Sequence, residues 1–170
     1  FLNADIELQS MNFAGLIPGT TTGKIDLLVA NLNKTPAIAD SMLFSDPYID
    51  SSISMLVRKD RVQKQVSKEI NSVAELKGKK VGVVSGSLFG HFLKMGVPEA
   101  IPQEYNSYPD QIQGLKTDKV EAFLADEPIA RMIVKENPDF KILPEVIIDD
   151  KYGLVFSKQN VKLCGDFNKI

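Results

Sequence analysis

Short apolar runs alternate along the chain with longer runs of helical period. Ile25 to Ala30, Val81 to Val84 and Ala122 to Ala125 are largely apolar, the pattern of strands covered on both faces. Asp5 to Met11 alternates more openly, with Ile6 and Leu8 on one side and Glu7 and Gln9 on the other, and reads as a strand with one wet face. Ser52 to Arg58, Phe140 to Leu143, Val146 to Ile148 and Tyr152 to Phe156 are further strand candidates. Between them, Ser72-Val73-Ala74-Glu75 has the spacing of a capping box. Tyr108-Pro109-Asp110 predicts a short helix running to Leu115. Pro128, in a first turn where its missing N–H costs nothing, opens the periodic run Ile129, Met132, Ile133, which should stop near Asn137 before Pro138. This alternation predicts an α/β fold with parallel sheets and helices on their faces.

One pattern occurs twice. Gly23-Lys24-Ile25-Asp26-Leu27-Leu28-Val29-Ala30-Asn31 matches Asp118-Lys119-Val120-Glu121-Ala122-Phe123-Leu124-Ala125-Asp126 in kind: a turn, a Lys, a branched residue, an acid, an apolar strand, then Ala and a polar residue. Two buried strands resemble each other by chance often enough. If the echo is genuine, there are two lobes of similar build, with Asn31 and Asp126 just past strand ends, where open α/β sheets bind ligands.

Composition narrows the partners. The 170 residues carry 20 Lys plus Arg against 22 Asp plus Glu, a net charge of −2, which gives no electrostatic footprint for nucleic acid or an anionic membrane. A single cysteine, Cys164, excludes an internal disulfide framework and a multi-cysteine zinc site, and reads as a packing residue. No apolar run approaches the ~20 residues of a membrane span. Phe1 to Asp5 lacks the basic and apolar regions of a secretory signal.

Candidate chemistry is sparse. Ser85-Gly86-Ser87-Leu88 follows a strand and enters the apolar run Phe92-Leu93, so its backbone amides suit a carboxylate or phosphate; equally, Ser85 or Ser87 caps the helix. The turn is neither a P-loop nor a dinucleotide fingerprint. Asp126 reads either as a helix cap or as a carboxylate placed to take an ammonium group. Phe13, at a strand-to-helix corner, reads as a core ring or as one wall of a pocket. His91 lies four residues after Ser87 but has no acidic orienter, so it is read as a surface or helix residue. No metal-ligand spacing or cofactor motif is present.

The chain resembles the family 3 extracellular solute-binding proteins of polar amino-acid ABC transporters. The resemblance is carried by Phe13-Ala14-Gly15-Leu16-Ile17-Pro18, Gly23-Lys24-Ile25-Asp26-Leu27, Thr35-Pro36 and Phe44-Ser45-Asp46-Pro47-Tyr48. It continues through Leu56-Val57-Arg58-Lys59, Leu76 to Val83, Ala125-Asp126-Glu127-Pro128 and Tyr152-Gly153-Leu154. It implies a two-lobed periplasmic-binding-protein-like fold of type II, each lobe a small, mostly parallel sheet with flanking helices. Lobe one is expected to comprise residues 1–56 and 152–170, lobe two residues 57–151. The resemblance further implies hinge closure on a small polar, amino-acid-like solute, delivery to an ABC permease, an extracytoplasmic location, and neither enzymatic activity nor a cofactor. By the same resemblance Phe13 packs on the ligand and Asp126 binds its ammonium group. Asn31, Leu32 and Asn33, with Ser85, Gly86, Ser87 and Leu88, hold its other polar groups.

Two departures stand out. The family's Thr-x-Thr-Pro-Glu-Arg is here Asn33-Lys34-Thr35-Pro36-Ala37-Ile38, so Ile38 stands where an Arg grips the α-carboxylate. Each charge-assisted bond lost there is worth about 1.5–3 kcal/mol. The expected solute is therefore not an α-amino acid held in the usual way. Family chains also begin with a strand and helix ahead of the segment at Phe1; without them lobe one has an open slot in its sheet, and either the chain is truncated there or something else fills the slot, such as a strand from a second copy in a strand-exchanged dimer. A ligand-sensing module of a signalling protein and a cyclohexadienyl dehydratase-like enzyme are the alternatives on this scaffold. The enzyme needs a general acid, for which only Glu127 and Glu104 offer themselves.

Overall fold

The computed structural model describes residues 4–32, 34, 36–59, 70–145 and 148–169. The elements are α1 (Phe13–Thr21), β1 (Leu27–Leu28), α2 (Pro36–Ala39), β2 (Met42–Phe44), β3 (Ile49–Arg58), a 3-10 turn (Val73–Leu76) and β4 (Lys80–Val84). There follow α3 (Phe89–Gly96), β5 (Ile101–Tyr105), α4 (Tyr108–Lys116), β6 (Ala122–Asp126), α5 (Glu127–Glu136), β7 (Phe140–Ile142), β8 (Ile148–Tyr152), β9 (Val155–Ser157) and α6 (Val161–Phe167). They build two sheets. The smaller has the order β1-β9-β2; the larger has the order β5-β4-β6-β3-β7, with β8 also paired to β3.

Among the described residues, parallel pairing is confined to β5-β4-β6. The small sheet was expected to be mostly parallel, but its described pairs, β1 with β9 and β2 with β9, are antiparallel. The reason is the crossing between lobes. The chain leaves along β3 and returns along β8, and these two strands pair antiparallel from Ile49↔Tyr152 to Ile53↔Ile148, so β9 enters the small sheet from the opposite end. The expected lobe boundary after Leu56 falls inside β3, whose pairing with β6 already starts at Ile53↔Asp126.

Most sequence patterns became the elements they predicted. Val81 to Val84 and Ala122 to Ala125 are the buried centre of the large sheet, and α4 and α5 run close to their expected bounds. Ser107 caps α4 by accepting from the Asp110 amide at 3.3 Å. The Ser72 box forms only in part. Glu75 accepts from the Ser72 hydroxyl at 3.3 Å and the Asn71 amide at 3.4 Å, and one 3-10 turn results. Residues 146 and 147 of the Val146-to-Ile148 candidate lie outside the described residues.

Asp5 to Met11 is the clear miss. It forms no strand, and Ile6 and Leu8 are 83% and 92% exposed. Alternation fits a residue to a pleat, but strand structure needs ladder partners, and among the described residues none lies beside this segment. β1, held to Leu27–Leu28, likewise has one neighbour among the described residues, β9, and no described strand on its far edge.

Three apolar clusters form the core. Two sandwich the large sheet: Ile53, Met55, Val83, Phe92 and Leu93 on one face, and Leu56, Phe123, Ile133 and Phe140 on the other. The third, Leu28, Leu32, Met42 and Val155, fills the small lobe. Phe13 packs against both the small-lobe cluster and one large-sheet cluster, so its ring spans the seam between the lobes.

Candidate functional site

The two copies of the repeated pattern meet across that seam. Their opening turns share a left-handed backbone, at Gly23 (φ +73°) and Asp118 (φ +58°). Their closing polar residues, Asn31 and Asp126, face each other, with the Asn31 Nδ2 donating to Asp126 Oδ2 at 3.3 Å. Asn31 is itself left-handed (φ +45°), a conformation Asn tolerates better than most residues and one that turns its amide off the β1 strand.

Asp126 ends β6 and is 5% exposed. Although it occupies the N-cap position of α5, its side chain makes no capping hydrogen bond. The carboxylate accepts instead from Tyr152 at 2.6 Å on Oδ1 and from Tyr108 at 3.0 Å on Oδ2. Tyr48 extends the network by donating to Asn31 Oδ1 at 3.4 Å. Two of the chain's four tyrosines thus bond one carboxylate, and a third bonds its Asn31 partner. Burial, and then the Asp126 charge, push the Tyr108 phenol far above its ordinary range, and the same two causes raise Tyr48. Both therefore stay protonated donors at neutral pH. Among the described residues no Lys, Arg or His pairs with Asp126, so its negative charge is held by neutral donors alone.

In front of Asp126 lies a cleft of about 280 Å³, just under the usual range for small-molecule sites of about 300–1,000 Å³. Phe13, Val29 and Ala30 come from the small lobe, and Val84, Phe89 and Ile129 from the large one. Asn31, Ser87, Tyr108 and Asp126 are its polar walls. The Ser87 hydroxyl donates to the Val84 carbonyl at 2.6 Å and accepts from the Phe89 amide at 3.2 Å, so it caps the start of α3 locally.

Of the residues singled out from sequence, Phe13, Asn31, Ser87 and Asp126 line this cleft. Leu32 is buried in the small-lobe core, and Ile38 packs on the same core. Leu88 packs on the large-sheet cluster, and Ser85 donates to Glu104 at 3.0 Å. Gly86 lies at the seam: a Cβ there would stand 3.1 Å from the Cα and Cβ of Ala14. Asn33 lies outside the described residues. Tyr108, Tyr152, Tyr48 and Phe89 were not foreseen as site residues. Tyr48 and Tyr152 sit in motifs that carried the family resemblance, which was the available signal, but nothing local marks Tyr152 as a partner of a carboxylate 26 residues away or Tyr48 as a partner of Asn31, 17 residues away.

The remaining candidates fall elsewhere. His91 is exposed beside Phe92, Cys164 is a buried free thiol, Glu127 pairs with Arg131 one turn along α5, and Glu104 is exposed. Among the described residues no cluster of three metal-ligating side chains occurs, and no helix is long and apolar enough to cross a membrane.

This architecture, two α/β lobes joined by paired crossing strands with a cleft at the strand ends, is that of a solute-binding protein. The chain belongs to the bacterial extracellular solute-binding proteins, family 3, whose model matches residues 2–170. It is 28% identical over 160 residues to a glutamine-binding protein of Geobacillus stearothermophilus, covering 94% of this chain and 58% of that one. It is 24% identical to arginine-binding protein 1 of an Escherichia coli ABC transporter, covering 89% of this chain and 59% of the relative. The chain therefore spans just under three fifths of these relatives' lengths. Among solved structures, holo ArgBP from T. maritima aligns with a TM-score of 0.87 at 27% identity, over 99% of this chain and 72% of that one. An ancestral arginine-binding protein bound to glutamine aligns with the same TM-score at 32% identity, over 99% and 73%. The relatives are named as binding proteins, not as enzymes.

Proposed function

We propose that this chain forms the ligand-gripping part of an extracytoplasmic solute-binding component of an ABC transporter, closing on a small polar, amino-acid-like solute and handing it to a membrane permease. One observation carries the reading: a buried carboxylate at the seam, satisfied only by neutral donors, with an open cleft before it. Burying an unpaired charge is costly unless a counter-ion arrives, so the site is electrostatically complementary to an ammonium group. Asp126 takes that group, Phe13 packs on the body of the solute, and the lobes divide near Ile49–Ser52 and 149–152, where β3 and β8 cross together. A periplasmic and a lipid-anchored protein are both compatible with this role.

The test is a thermal-melt screen against amino acids, amines and organic acids, followed by Asp126→Asn. A solute at about 100 times its Kd adds about 2.7 kcal/mol to stability. An ammonium-bearing hit is expected, with at least tenfold weaker binding to Asp126→Asn. A hit among solutes without a cationic group, or one indifferent to Asp126→Asn, would overturn the assignment.

The partner in the membrane is the permease. We also propose a second partner, another copy of this chain whose residues 4–12 pair with the open edge of β1 in reciprocal exchange, since the exposed Ile6 and Leu8 and the vacant edge answer each other. Sedimentation at tens of micromolar should then give a dimer that Leu8→Lys converts to monomer; a monomer at that concentration removes this proposal.

A further inference from the structure

We infer that the cleft selects a small organic amine without an ionised carboxylate: one cationic head on Asp126 and an apolar body between Phe13 and Phe89. The inference rests on the solute-binding reading above and narrows its substrate class.

The charge inventory of the cleft carries it. Among the described lining residues, Asp126 is the only formally charged side chain, and none is cationic. Lys34, the nearest cation in sequence to Asn31, lies 5.8 Å above the centroid of the Phe44 ring. It borders a separate surface depression with Asp46, Asp50 and Lys151. Ile38 packs on the small-lobe core, where it offers no donor. Among the described lining residues a solute carboxylate meets a like charge and no counter-charge, in a partly desolvated space that penalises the ionised form.

The neutral donors do not make up the deficit. The amide of Asn31 and the hydroxyl of Tyr108 are given to Asp126, and the hydroxyl of Ser87 to the Val84 carbonyl. Apart from the second N–H of the Asn31 amide, a carboxylate would have to take a side-chain donor away, stripping the buried Asp126 or exposing a carbonyl, and that one spare donor is neutral. An ammonium group faces the opposite situation. Asp126 has three neutral partners, and a cation adds an ion pair that none of them supplies. The apolar walls then favour a hydrocarbon or aromatic body over a second polar head, and the rings of Phe13 and Phe89 add a face on which a cation or a flat group can rest.

Isothermal titration calorimetry at pH 7 on the whole chain compares each of four amino acids with its decarboxylated counterpart. The pairs are arginine with agmatine, glutamine with 4-aminobutanamide, leucine with 3-methylbutylamine, and phenylalanine with phenethylamine. At least one amine is expected to bind, with an affinity at least tenfold above its parent, about 1.4 kcal/mol. Asp126→Asn should remove that binding, and its ligand-free melt reports whether the variant still folds. An amino acid binding as tightly as its amine would overturn the inference while leaving the solute-binding reading intact. It would assign the carboxylate to the backbone amides of the Gly86–Leu88 turn. Tight binding of the amine to folded Asp126→Asn would also overturn it, because the cationic head would then lie elsewhere. No binding by any of the eight would overturn both the inference and the reading beneath it.

Discussion

Gln111 is the one fully buried amide in the described structure whose oxygen and nitrogen both lack a protein partner. It sits in α4, facing the sheet where Gly82 leaves room: a Cβ at Gly82 would stand 3.0 Å from its Oε1. An orphaned buried amide costs about 1–3 kcal/mol, whereas a side chain of the same length without polar atoms loses nothing there. Gln111→Met should therefore raise the melting temperature by about 2–4 °C per kcal/mol regained; a lower melt would mean that the amide is satisfied in solution. Asp126 is the instructive contrast. It is nearly as deeply placed but has three donors, and those donors could not be read from the sequence. Asp126-Glu127-Pro128 announces a helix start and a carboxylate, yet the choice between cap and ligand site depends on Tyr108 and Tyr152, which tertiary packing alone brings within 3.0 Å. Asn31 was more legible, because the repeated pattern, if genuine, sets it and Asp126 just past the ends of two strands, and the two residues do face each other.

At the level of elements, legibility followed burial. The apolar runs that became β4 and β6 are covered on both faces, and such a pattern admits few alternatives once Gly, Pro and polar residues bound it. α5 is framed by Pro128 at its start and by Pro138 just beyond its end, and it ran as expected. β5 went unseen because Ile101-Pro102-Gln103-Glu104-Tyr105 is an exposed edge strand. Its ladder with β4 is set by the backbone, and its side chains carry almost no apolar signal. Asp5 to Met11 erred in the other direction. Its alternation is better than that of β5, but a strand is a relation between two segments, and a pattern in one of them cannot supply the other. The same reasoning explains the antiparallel small sheet. Strand direction is fixed by how β3 and β8 carry the chain between lobes, a long-range fact with no local trace.

At the scale of the molecule, function in this family rests on two lobes meeting, and the seam here closes on very small groups. Gly86, in the turn after β4, approaches the first turn of α1 so closely that an added Cβ would stand 3.1 Å from both the Cα and Cβ of Ala14. It also holds a left-handed backbone, φ +78°. Gly86→Ala therefore introduces two faults, a local strain of about 1–2 kcal/mol and a wedge between the lobes. Gly78 separates them. It has a similar φ, +69°, but a Cβ there meets nothing within 4 Å. Gly78→Ala should lower stability by about the same local amount and leave both the ligand affinity and the radius of gyration unchanged. Gly86→Ala should lower stability and, in addition, weaken the best-binding amine several-fold and enlarge the ligand-free radius of gyration in small-angle scattering. The wedge acts only where the lobes meet as they do here, with Asn31 of one lobe bonded to Asp126 of the other. If the two alanine variants bind alike and scatter alike, closure does not pass through the Gly86–Ala14 contact, and the Asn31–Asp126 bond and the ring of Phe13 must hold the seam without it.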